Sequence, residues 1–64
     1  MSDNACIYVK YQMGRYVVWK QEVDVVPEPP VDAQSFDTRE AAYQRAAERA
    51  DSETPEYGVA VLKF

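Results

Sequence analysis

The side chains able to do chemistry in this 64-residue chain are few and badly matched. It contains one cysteine and no histidine, so the commonest partner for an activated nucleophile or a proton transfer is missing. Cys6, near the start, reads as a small apolar side chain rather than a thiolate. Two acid pairs, Glu22 with Asp24 and Asp51 with Glu53, have the right groups for acid–base work. Both fall at strand ends or in loops, and so short a chain leaves little room for a substrate cavity. Asp51, Glu53 and Glu56 lack the spacing and glycine of a calcium loop. A structural zinc site would need several Cys or His ligands. Gly14 and Gly58 are the only glycines, so no phosphate-cradling loop is expected. The reading is of a protein that is not an enzyme and uses neither metal nor cofactor.

Charge patterning offers more. The net charge is −4, with a pI near 4.5, which opposes direct contact with nucleic acid phosphates and favours a basic protein partner. Between Gln21 and Asp37 lie Glu22, Asp24, Glu28, Asp32 and Asp37 with no base among them. Asp51, Glu53 and Glu56 form a second acid-only run. The seven acids Glu22, Asp24, Glu28, Asp32, Asp51, Glu53 and Glu56 are therefore the candidate partner-binding residues. Acids also keep a small domain soluble without any further role.

The elements that position these groups centre on Phe36 to Ala50, FDTREAAYQRAAERA. Asp37 with Glu40 reads as a capping box, Phe36 with Ala41 as a weak hydrophobic staple. Ala42, Tyr43, Ala46, Ala47 and Ala50 recur at helical spacing and predict an alanine-rich apolar stripe. So short a helix needs a surface to pack on.

Strands supply it. Cys6 to Gln12 and Tyr16 to Val23 alternate and are rich in β-branched and aromatic residues, and Tyr57 to Phe64 predicts a third strand. If one sheet face is buried, a three-residue loop Met13-Gly14-Arg15 groups Ile7, Val9, Tyr11, Val17, Trp19 and Val23, with Gln21 as the single misfit. Asp24 to Ser35 holds three prolines and reads as an extended, partly polyproline crossover. The prediction is one α+β domain over residues 1–64, ββαβ: a three-stranded antiparallel sheet in order 2-1-3 with the helix on one face. On that topology the two acidic runs sit at opposite ends of the helix, about 20 Å apart.

A single helix covers one face only. Tyr8, Tyr16, Val18, Leu62 and Phe64 are then expected on an open apolar-aromatic face, a second interface, with a homodimer among its candidate assemblies. With Lys10 and Lys20 the same face is an alternative binding surface for single-stranded nucleic acid by stacking. No apolar run approaches the ~20 residues of a membrane span, and a lone thiol with no export signal points to the cytoplasm.

The run FDTREAAYQRAAERA followed by a short strand resembles small β-β-α-β domains of unknown function whose helix begins F-x-T and continues with spaced alanines. In size, acidity and absence of catalytic groups the chain also resembles phage-encoded anti-CRISPR inhibitors. That likeness implies a protein in the host cell cytoplasm that binds a CRISPR effector complex subunit and, by DNA mimicry, blocks target DNA binding.

Overall fold

A computed structural model describes residues 4–62. Within that range the chain forms strands β1 (Ala5–Gln12), β2 (Arg15–Glu22) and β3 (Gln34–Phe36), helix α1 (Arg39–Glu53) and strand β4 (Val59–Leu62). The sheet has four strands in order β3-β2-β1-β4. Thus the α+β class and the central place of β1 hold, but the sheet is mixed. β1 pairs antiparallel with β2, and β2 antiparallel with β3. β4 runs parallel to β1, with Ile7 opposite Val59 and Val9 opposite Val61. This corrects the all-antiparallel expectation. The added β3 forms where the proline-rich crossover ends, so β3-α1-β4 is a crossover between parallel strands. Phe64, expected at the end of the last strand, lies outside the described residues.

The hairpin loop has two residues. Gln12 faces Arg15 across the turn, and Met13 (φ 52°) and Gly14 (φ 81°) both adopt left-handed backbone. That is the pattern of a primed turn, whose twist matches the strands it joins. The register therefore differs by one residue from the expected one. Ile7, Val9 and Val18 lie together on the helix face, and Cys6, Tyr8, Val17 and Trp19 lie on the other. The parity argument assumed one buried face, and this molecule has two.

The first face is closed by α1. Thr38, not Asp37, is the N-cap, its hydroxyl accepting from the Ala41 amide at 3.2 Å. Asp37 instead pairs with Arg15 at 3.2 Å. Ala42 and Ala46 are fully buried against Ile7, Val9 and Val18, with Tyr16, Phe36 and Ala50 around them. Methyl-sized side chains let the helix backbone approach the sheet closely. Tyr43 and Ala47, expected in the stripe, are exposed at its flank.

The second face is closed by the crossover, residues 23–33, which runs over it as a strap. Val23 and Ala33 pack against the Cys6, Tyr8, Val17 and Trp19 cluster with Ala60 and Leu62. Gln21 holds the strap in place. Its Oε1 accepts from Trp19 Nε1 at 2.7 Å and from the Glu28 amide at 3.1 Å. Its Nε2 donates to the Val25 and Val26 carbonyls at 3.3 and 3.0 Å. The residue that looked misplaced on an apolar face anchors the cover of that face.

Candidate functional site: one acidic end

The ends of three segments meet at Asn4. The Asn4 amide donates to Glu56 Oε1 at 3.2 Å, and its Nδ2 donates to Asp24 Oδ2 at 2.7 Å. Its carbonyl accepts from the Val23 amide at 3.0 Å. One residue therefore joins the start of β1, the exit of β2 and the lead-in to β4. Asn tolerates the left-handed conformation found there (φ 50°) better than most residues. Glu22 closes the β1–β2 ladder opposite Ala5. The helix arrives at the same end, where the Tyr57 amide bonds to the Ala5 carbonyl at 3.0 Å. Thr54, also left-handed (φ 44°), ends the helix by donating its amide to Ala50. Pro55, next in the chain, cannot continue it.

Glu22, Asp24, Asp51 and Glu56 therefore share one end of the molecule. This corrects the expectation of two acidic poles at opposite ends of the helix. Asp37, at the other end, is matched by Arg15. Glu28 and Asp32 ride on the strap. Glu28 borders a groove of about 450 Å³ with Lys10, Gln12 and Pro29. Asp32 sits beside a smaller notch with Lys20, Gln34 and Arg49.

The acids differ in how far they are compensated. Glu53 is bound by Arg49 Nε at 2.8 Å and by Lys20 Nζ at 3.7 Å. The Arg49 hydrogen bond, helped by the charges of Arg49 and Lys20, holds its carboxyl below the usual range against the opposing effect of burial. Glu53 thus ties α1 to β2, its carboxylate engaged by two cations. Among the described residues, Glu22, Asp24, Glu28, Asp32 and Asp51 form no ion pair. The last helical turn carries no base, so Asp51 stands near the negative end of the helix dipole without local compensation.

The expected aromatic face does not exist as one surface. Tyr8 is buried on the strap face, its ring 5.5 Å from that of Trp19. Val18 is fully buried under the helix, and Tyr16 lies half-buried on that side beside Tyr11. Leu62 packs on the strap side. Lys10 and Lys20 are likewise divided, Lys20 reaching Glu53 of the helix and Lys10 lining the strap groove. Among the described residues these side chains do not share the one open face on which stacking of single-stranded nucleic acid was expected.

Cys6 is buried, and burial pushes its thiol up, away from the thiolate form. No three potential metal-ligating side chains converge among the described residues. No helix among them is long and apolar enough to cross a membrane. Comparisons with family models, curated proteins and solved structures found no match to this chain. The fold and site thus define a small α+β domain with an acidic end. Asn4 and Gln21, the residues that organise that end and the strap, carry no motif. Gln21 on an otherwise apolar face was the one visible signal.

Proposed function

We propose that this chain is a non-enzymatic binding protein that inhibits by offering its acidic end to a basic, nucleic-acid-binding protein complex. The observation that carries this reading is the gathering of Asp24 and Glu56 on Asn4, with Glu22 and Asp51 at the same end. Carboxylates held together on a rigid end raise the local negative potential, which speeds and orients approach to a basic groove. In its specific form the partner is a CRISPR effector complex and the effect is blocked target DNA binding. The resemblance in size and charge supports that form.

Charge reversal tests the reading. The triple change Glu22→Lys, Asp24→Lys and Asp51→Lys is expected to weaken capture of a purified CRISPR effector complex at least tenfold, and binding by the unaltered chain falls as salt is raised. Reversal of Glu28 and Asp32 on the strap is expected to have a smaller effect. Equal binding by the triple variant, with its fold intact by circular dichroism, would remove the electrostatic basis.

A further inference from the structure

The two faces of the sheet are closed by unlike means. The helix face is covered by fifteen residues of regular structure, the other by a strap with little hold on what it covers. Pro27, Pro29 and Pro30 have no amide to donate. The backbone hydrogen bond from the Ala33 amide to the Pro30 carbonyl stays within the strap. Among the described residues, the hydrogen bonds that tie residues 25–32 to the sheet all come from one side chain, Gln21. Apolar packing is sparse as well. Val23 and Ala33, at the two ends, pack on the cluster beneath, and Pro27 and Pro29 are half-buried. Val25, Val26 and Val31 are exposed. Open grooves border the strap, about 450 Å³ beside Lys10 and Gln12 and about 380 Å³ beside Met13 and Arg15. Under it lie Tyr8, Val17 and Trp19, none more than 8% exposed.

We infer that residues 25–32 open as a unit while the sheet and helix stay folded, with Gln21 as the latch, and so uncover Tyr8, Val17 and Trp19. Segments with few apolar contacts, held by side-chain bonds in place of a strand ladder, form the low-stability end of a fold. The latch is cooperative, because Gln21 Oε1 accepts from both the Trp19 indole and the Glu28 amide while its Nε2 holds the Val25 and Val26 carbonyls. Both ends of the opening segment are fixed. Before it, the Val23 amide and the Asp24 carboxylate are bonded to Asn4, so the acidic end stays assembled. After it, Ala33 packs on the cluster and Gln34 begins β3. Opening exchanges a surface of valine, proline, Glu28 and Asp32 for one formed by the stacked rings of Tyr8 and Trp19. One molecule can thus present either of two faces beside an unchanged acidic end.

Hydrogen exchange of the Trp19 indole proton in the unaltered chain, followed by NMR at low urea, tests the inference. The indole is expected to be at least tenfold less protected than the Ala46 amide in the middle of α1. Its urea dependence should also be the smaller, since opening the strap exposes only part of the surface that unfolding does. An indole that exchanges with the protection and urea dependence of Ala46 would mean that the strap leaves only with global unfolding, and would overturn the inference. The Ile7 amide, bonded to the Gly58 carbonyl, reports on β4. If it exchanged together with the indole, the opening would belong to β4 and the inference would fail. Gln21→Ala is expected to raise acrylamide quenching of Trp19 at least twofold with the circular dichroism unchanged. Quenching equal to that of the unaltered chain would overturn the latch. Should that variant fail to fold, the exchange of the unaltered chain decides alone.

Discussion

At the scale of single residues, Gln21 shows how one polar side chain can decide what covers a sheet. It faces the same side as Trp19 and Cys6, where a purely apolar reading finds no use for it. Its amide gathers the strap by bonding the Val25 and Val26 carbonyls, the Glu28 amide and the Trp19 indole. Gln21→Ala leaves the indole N–H and the Glu28 amide without their acceptor. The indole N–H is partly buried, and a donor orphaned there costs about 1–3 kcal/mol, whereas the exposed Glu28 amide can turn to water. The expected outcome is a loss in that range in urea unfolding, with Trp19 emission shifting to longer wavelength as the strap loosens. A loss under about 0.5 kcal/mol, the scale of an ordinary surface change, would show that the strap is held by Val23 and Ala33 alone. The signal was legible as an anomaly in the alternation. Its meaning was not, because the carbonyls it serves belong to a proline-rich segment with no periodicity.

At the scale of elements, both long strands, the helix and the last strand were readable, since alternation and 3.6-residue spacing are local properties. Register and direction were not. Parity favoured a three-residue loop only because one face was assumed to be open, and the strap removes that assumption. The parallel β4 follows from the helix returning the chain to the Asn4 end before the strand begins. The two-residue turn has a cost that can be measured. Met13 is almost fully exposed, at 95%, and held at φ 52°, a conformation in which a non-glycine residue other than Asn or Asp pays about 1–2 kcal/mol. Met13→Asn, giving the Asn-Gly pair that primed turns favour, is expected to raise stability by about 1 kcal/mol in urea unfolding. If the three-residue loop were the true one, the substitution would bring no gain.

At the scale of the whole molecule, the count of acids was legible and their placement was not. Glu22 and Asp24 join Glu56 only because the strap begins where β2 ends, beside Asn4, while the helix delivers Asp51 and Glu53 to the same end. There the fold must reconcile carboxylates with the negative end of a helix dipole, and Glu53, clamped by two cations, helps it do so. The Arg49 hydrogen bond and the two neighbouring charges lower its folded-state pKa. Its contribution is therefore complete above the unfolded carboxyl value of about 4.3 and is lost as pH falls through the lower folded value. Glu53 is about one-third exposed, so solvent screening keeps the contribution near 0.5–1 kcal/mol. Glu53→Gln is expected to be less stable than the unaltered chain by about that amount at neutral pH, with the difference closing as the solution is taken from about pH 6 to about pH 2. Urea midpoints of the two proteins across that range check it. A gap that stays constant with pH would mean that Glu53 acts through packing, and the acidic end would then lack the cationic clamp that fastens it to the sheet.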